Sequence, residues 1–345
     1  MNKLNLLNML DNIKEHDNIK VDRHDRVLVI DGLNMFFRNF AVVKFINNEG
    51  THIGGLSGFL RSLGALIKTI HPTSVYVIFD GVGSTVNRKN LLPEYKENRH
   101  ISRITNWDIF ENLEDEHNSQ IDQITRLIHY LKCLPIKTIA LDRSEADDVI
   151  SYISTKLSNE YNSKVFIVSN DKDFIQLVNS NISVYRPSEK DFYNSETVID
   201  KFGIPSENFI LYKVLLGDNS DKIKGIKGMG EKALIKRFPE IKTQILTLDD
   251  ILRISEERLK EHVIYARILS DIPNLRRNFQ IMNLHNPMID DNGKKDLDEL
   301  ILDNTPSLDI PQFLEYYEMD GLRNAIKNIE YWIENTFKDI LDIEK

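Results

Sequence analysis

The sequence predicts an α/β protein: a mostly parallel central sheet flanked by helices, passing into a helical C-terminal part. Three observations predict it. Short apolar, β-branched runs alternate with helical periodicity, the pattern of parallel strands covered on both faces. Strand signals fade after residue 205, where helical spacing takes over. The four strongest runs also close on aspartate, and open α/β sheets bind ligands at the carboxyl ends of their strands.

Those runs are VLVID (27–31), SVYVIFD (74–80), IKTIALD (136–142) and KVFIVSND (164–171), ending in Asp31, Asp80, Asp142 and Asp171. Each aspartate alone reads as a turn former or helix cap. Four in four favour a shared acidic rim. ISVYRP (182–187) is expected to add a strand. Residues 88–120 are polar and patchily helical, a long insertion between two strands, and such connections often carry function. DDNGKKDLDEL (290–300) reads as a charged linker before an amphipathic helical tail from Pro311.

The 345 residues suffice for one large or two small domains, with 41% hydrophobic and 28% charged residues. A net charge of −9 argues against nucleic-acid binding overall, but charge is unevenly placed. Lys222–Arg237 holds six basic residues and one acid, and Arg88–Arg103 holds five against two. The single Cys133 excludes a disulfide framework and a cysteine metal cluster. No run has membrane-spanning length and the first residues lack a leader pattern, so a cytoplasmic protein without membrane association is expected.

The acids cluster further. SEADDV (144–149) contributes Glu145, Asp147 and Asp148, SNDKDF (169–174) adds Asp171 and Asp173, and Asp218 and Asp221 open the stretch LGDNSDKIKGIKGMGEKA. A helix start explains one or two acids after Ser144 through capping and the helix dipole, but not three. With Asp31 and Asp80, nine carboxylates point to one rim. Two unit charges about 4 Å apart repel by roughly 4 kcal/mol at an effective dielectric near 20. Cations between them resolve this, and an oxygen-only donor set selects Mg²⁺ or Mn²⁺. So many acids suit two ions, the arrangement used for in-line phosphodiester cleavage.

GIKGMGEKALIKRF (225–238) runs from a glycine-rich turn into a helix, a pattern that offers backbone N–H groups to phosphate. Gly228–Ala233 formally matches the dinucleotide fingerprint, but a basic loop precedes it where a strand is required. A solvated helix hairpin is the bland reading. The neighbouring acids favour phosphate-backbone binding. No nucleophilic serine or cysteine arrangement is visible, since GGLSGF is not G-x-S-x-G.

Together the blocks VIDGLN, VIFDG, EADDVI, VSNDKDF and LLGDNSDKIKGIKGMGEKAL, in that order with LPEYKENR between the second and third, resemble the flap endonuclease and 5′–3′ exonuclease family over residues 26–240. NWDIFENLEDE, QFLEYYEMDGLRNAIKNI and LNLLNMLDNI resemble its T-even-phage ribonuclease H branch.

The resemblance implies a PIN/5′-nuclease-like fold with a helical arch at about 88–120 and a helix–three-turn–helix element that grips duplex backbone. It implies Mg²⁺-dependent cleavage near 5′ ends of DNA flaps, nicks and RNA primers during replication, including ribonuclease H activity on RNA–DNA hybrids. Asp31, Asp80, Glu145 and Asp147 match the first-metal ligands. Asp171, Asp173, Asp218 and Asp221 match the second-metal group, with Asp147 toward it and Asp148 supporting.

Lys96 and Arg99 match the arch pair that holds the scissile phosphate and, with Asp147, form the implied catalytic set. Tyr95 matches a base-stacking residue and Arg38 a substrate contact near the metals. Gly225, Gly228, Gly230 and Lys232 match the duplex-gripping loop, where a monovalent cation such as K⁺ is implied. The chain departs from the family by carrying Lys222-Ile223-Lys224-Gly225 where Asn-Ile-Pro-Gly is usual.

Four segments follow. Residues 1–25 form a tail in which Leu6, Met9 and Leu10 are a candidate sliding-clamp anchor or a small packed helix; 26–215 form a metal-dependent nuclease domain. Residues 216–290 carry the helix–three-turn–helix and a helical region, and 291–345 a linker and C-terminal helices. Phe313, Tyr316, Tyr317 and Leu322 read as core, while the branch resemblance implies a face for single-stranded-DNA-binding protein there. A monomer is expected. Two other readings remain: a PIN-type ribonuclease and a catalytically silent DNA-junction binder.

Overall fold

The computed structural model describes residues 22–97, 104–322 and 325–343. Six strands make the central sheet: β1 (Arg26–Asp31), β2 (Ser74–Asp80), β3 (Lys137–Leu141), β4 (Lys164–Val168), β5 (Ile182–Arg186) and β6 (Asp191–Tyr193). Their order is β3-β2-β1-β4-β5-β6, parallel throughout except for β6 against β5. The chain leaves β1 toward β2 on one side and later returns to β4 on the other. The strand order therefore reverses beside β1, and a crevice opens there at the strand ends.

Alternation along the strands builds the two faces. Val27 and Val29 of β1, with Tyr76 and Ile78 of β2, enter a core shared with the helix Ala146–Glu160 and the helices beyond residue 209. Leu28 and Ile30, with Val75 and Val77, face the helices Gly32–Val42, Gly54–Ile70 and Leu113–Lys132. Phe313, Tyr317 and Leu322 close that second core beside Trp332 and Phe337, so these tail aromatics are core residues. Tyr316 is half-buried beneath the Arg126 guanidinium.

Two expectations change. Residues 291–302 are a helix, Asp291–Leu302, rather than a linker. Asp290 caps it by accepting from the Gly293 N–H (2.8 Å), and Leu297 and Ile301, four apart, are buried while the lysines and acids face outward. The polar insertion is also shorter than 88–120. The helix Leu113–Lys132 is part of the body, burying Gln123, Leu127, Tyr130 and Leu131, and the Glu116 carboxylate receives the N–H groups of Thr105 and Asn106. Leu6, Met9, Leu10 and Arg99 lie outside the described residues. Among the described residues no helix is long and apolar enough to cross a membrane.

Candidate active site

β1 pairs on both sides, so its last residue is held at the centre of the sheet, and Asp31 there also caps the helix Gly32–Val42. Its Oδ1 accepts from the Asn34 N–H (3.0 Å) and its Oδ2 from the Ser169 hydroxyl (2.9 Å). Asp80 ends the adjacent β2 and accepts from the Ala146 N–H at 2.7 Å, which ties the start of the helix Ala146–Glu160 to the sheet edge. That helix begins with Glu145 at its cap and Asp147 in its first turn. Asp171 caps the short 3₁₀ turn Lys172–Leu177 by accepting from the Asp173 N–H (2.9 Å). Asp31, Asp80, Lys96, Asp147 and Asp171 line a cavity of about 490 Å³, with Asn34, Phe37, Arg38 and Asn170.

These groups act on one another electrostatically. Burial pushes the Asp31 carboxyl up to about 7 against the opposing Asn34 and Ser169 hydrogen bonds, with Asp171 and Asp80 adding to the rise. Asp147 is raised well above the carboxylate range by burial and by Asp171, with Lys96 opposing. Asp173 is raised to about 7, by burial and then Asp171, against Lys213. Burial acts on Asp218 too, yet Lys213 and Ser220 hold it at about 2. Asp171 thus acts on Asp31 and Asp147 on one side and on Asp173 on the other. Asp221 is buried, its N–H toward Asp218 Oδ1 (3.4 Å).

Among the described residues no three His, Cys, Asp or Glu side chains are already arranged around a single metal position. Lysines sit among the acids instead. Lys96 Nζ lies 2.9 Å from Glu145 Oε1, and Lys213 Nζ lies 2.6 Å from Asp173 and 2.7 Å from Asp218. The donor set nonetheless fits hard divalent cations: it is all carboxylate oxygen, and several members are pushed toward protonation by burial and mutual repulsion.

Two expected site residues are placed elsewhere. Asp148 is fully buried, its two oxygens taken by the Arg88 guanidinium (2.5 and 3.0 Å), with Oδ1 also accepting from the Met288 N–H (3.0 Å). It follows Asp147 by one position on a helix, about 100° around the axis, and its oxygens are taken by Arg88 and Met288, so it is an anchor and is removed from the metal set. Tyr95 is 3% exposed and donates its hydroxyl to Glu145 Oε2 (3.1 Å), which leaves no ring face for a base. Arg38 does line the cavity and donates to the Pro187 carbonyl (3.1 Å).

Sequence reasoning missed Arg88 and Lys213. Arg88 lies in the helix Val86–Leu91, which ends at the extended Leu92 before Pro93, and no local spacing marks it as buried. Lys213 is the one charged residue of the helix Phe209–Leu216, and a charge in so apolar a helix needs a partner.

The basic loop follows that helix. Gly217–Asp218 (β7) pairs with Ile223–Lys224 (β8), and a Cβ on Gly225 would lie 2.2 Å from the Leu216 carbonyl atoms. Only glycine permits this crossing. Gly228 has φ +87°, with Lys227, Gly228, Gly230 and Lys232 exposed around the start of the helix Glu231–Arg237. The Lys96 N–H reaches the Asp221 carbonyl (3.3 Å), so this loop abuts the acidic cavity.

A family model described as "5′-3′ exonuclease, N-terminal resolvase-like domain" matches residues 26–203. The 5′-3′ exonuclease of Buchnera aphidicola (subsp. Acyrthosiphon pisum) is 30% identical over 270 residues, 73% of this chain and 89% of that protein. That of Aquifex aeolicus is 34% identical over 208 residues, 60% of this chain and 66% of that protein, just under two thirds. DNA polymerase I of Bacillus subtilis is 30% identical over 241 residues, and the match spans 26% of its length. In fold, the chain is similar to a bacteriophage T5 flap endonuclease solved with DNA and metal ions (TM-score 0.59, 20% identity, 86% of this chain, 99% of that one). It is also similar to human GEN1 solved with Holliday junction DNA (TM-score 0.54, 14% identity, 94% and 74%).

Proposed function

Since the chain belongs to the 5′-3′ exonuclease family, we propose that it is a two-metal 5′ nuclease acting at flaps, nicks and RNA primers, on DNA and on RNA–DNA hybrids. One observation carries this: carboxylates from four separate chain segments line one cavity at the strand-order reversal, and desolvation and mutual repulsion push three acids of the site upward.

Asp31, Asp80, Glu145 and Asp147 would hold one Mg²⁺ or Mn²⁺. Asp171, Asp173, Asp218 and Asp221 would hold the second, with Asp147 toward both. Bound divalent cations supply Lewis acidity for phosphodiester hydrolysis. Lys213 already neutralises part of the second group, so that position should bind the more weakly. Lys96 lines the cavity and is poised to offset charge on the leaving oxygen, with Arg99 as its partner. Asp31 keeps its orientation through Asn34 and Ser169.

Phe37, 43% exposed at the cavity, and Arg38 face the incoming strand. The loop Gly225–Gly230 and Lys232 bind duplex phosphates, with a monovalent cation such as K⁺ on the loop. Action in replication, as a monomer in the cytoplasm alongside single-stranded-DNA-binding protein and a clamp, completes the reading. A silent junction binder would be expected to lack some of these acids, and none is missing.

The test offers 5′-labelled flap and nicked RNA–DNA hybrid substrates in Mg²⁺ and in EDTA. Short products released from the 5′ side only in Mg²⁺ support the proposal, and the faster substrate gives the preference. Binding without cleavage in Mg²⁺ and Mn²⁺ overturns it.

A further inference from the structure

Glu145 is the most enclosed of the acids assigned to the metals, and its two oxygens have different surroundings. Its carboxylate is 2% exposed. Oε2 has two partners behind it, Arg88 Nη1 in an ion pair and the Tyr95 hydroxyl donating a hydrogen bond, each at 3.1 Å. Oε1 faces Lys96 at 2.9 Å, on the side of the acidic cavity that Lys96 lines. One oxygen is therefore held by Arg88 and Tyr95, and the other is paired with a lysine that lines the cavity.

Arg88 is itself fixed in three directions. Its fork grips both oxygens of Asp148 (2.5 and 3.0 Å), its Nε donates to the Ile281 carbonyl (3.0 Å), and its remaining reach goes to Glu145. Burial works against its charge, and Asp148 and then Glu145 more than compensate. A planar, rigid fork is what spans these partners together; a lysine ammonium offers no such geometry.

We propose that Arg88 is a positioning residue: anchored on Asp148 and the Ile281 carbonyl, it locks the Glu145 carboxylate so that Oε1 is presented to a divalent cation. This rests on the assignment of Glu145 as a ligand. Arg88 touches neither substrate nor the reacting atoms; it acts through Glu145. Outer partners of this kind typically change metal affinity by about 10–100-fold when removed.

Removing Arg88 alone would strand two buried carboxylates and endanger the fold. The informative variant is the double substitution Arg88→Gln with Asp148→Asn, which keeps the burial neutral and a hydrogen-bonding pair in place while removing the ion pair on Glu145. Tyr95→Phe, which removes the second tether and little packing, is the companion. Divalent binding is measured on the full chain by calorimetry with Ca²⁺ and with Mn²⁺, alongside the thermal midpoint in EDTA, and cleavage is followed against metal concentration.

Expected are a cooperative thermal transition in both variants and metal affinity about 10–100-fold weaker in the double variant. Activity should be restored at raised Mn²⁺ with the KM for substrate unchanged. A folded double variant that binds metal as tightly as wild type overturns the proposal and leaves Arg88 as the counter-charge of Asp148 alone. If the double variant does not fold, Tyr95→Phe decides: unchanged metal affinity there overturns the Oε2 tether. A wild-type chain that binds no divalent ion would instead refute the underlying site assignment.

Discussion

Replacing Asp31 with asparagine should stabilise the metal-free protein while abolishing cleavage. Asp31 is 7% exposed, and burial, Asp171 and Asp80 push its carboxyl from 3.8 up to about 7. Below pH 4 the group is protonated in both folded and unfolded chains and contributes nothing. As pH rises from about 4 to about 7, the unfolded chain loses this proton and the folded one retains it. Stability falls through that window and levels off above it. Three pKa units correspond to about 4 kcal/mol at most for this group. Asparagine carries no charge and still caps the helix Gly32–Val42.

Urea unfolding in EDTA at pH 8 should therefore find Asp31→Asn more stable than wild type by about 1–4 kcal/mol, and at pH 4 the two should be nearly equal. Mg²⁺ should raise wild-type stability more at pH 8 than at pH 5, and raise that of the variant less. Duplex binding through the glycine loop should persist in the variant. A variant less stable than wild type at pH 8 in EDTA would refute the claim that these carboxylates repel one another within the folded protein.

Other outcomes follow from the same geometry. Gly225→Ala places a methyl group against the Leu216 backbone, so a loss of about 1–3 kcal/mol in unfolding free energy and weaker duplex binding are expected, read by denaturation and by fluorescence anisotropy. Lys232→Ala should weaken duplex binding about equally across sequences and lower the slope of log K against log salt by about 0.9. Lys96→Ala should lower cleavage by about 10²-fold or more in single-turnover assays with binding largely intact, as expected for a charge-stabilising group. Lys213→Met should leave Asp173 and Asp218 without their shared cation, making folding more dependent on divalent metal and detectable as a larger thermal shift on adding Mg²⁺.

Much of this was legible in the sequence because apolar runs and terminal aspartates are local signals. VLVID, SVYVIFD and KVFIVSND became adjacent central strands, and ISVYRP became β5. Strand position then brought Asp31, Asp80, Asp147 and Asp171 to one cavity. What escaped depends on partners distant in sequence. Asp148 looks like Asp147 until Arg88, sixty positions earlier, claims both its oxygens.

Tyr95 looks like exposed arch surface until its burial against Glu145 is seen. The charged run 291–302 conceals Leu297 and Ile301 at helical spacing, and the short antiparallel β6 is held by pairing with β5 that three residues cannot signal. Arg88 and Lys213 escaped for a related reason. A lone basic residue reads as solvated until its acids are located in space.

The central claim is that two groups of carboxylates form two cation positions of unequal strength. The most direct measurement is a calorimetric Mn²⁺ titration of the wild-type chain and of a variant combining Asp173→Asn with Asp218→Asn. Two binding events per wild-type chain, the weaker lost in the variant and the tighter retained, are predicted. A single event in wild type, or loss of both in a folded variant, would contradict the account.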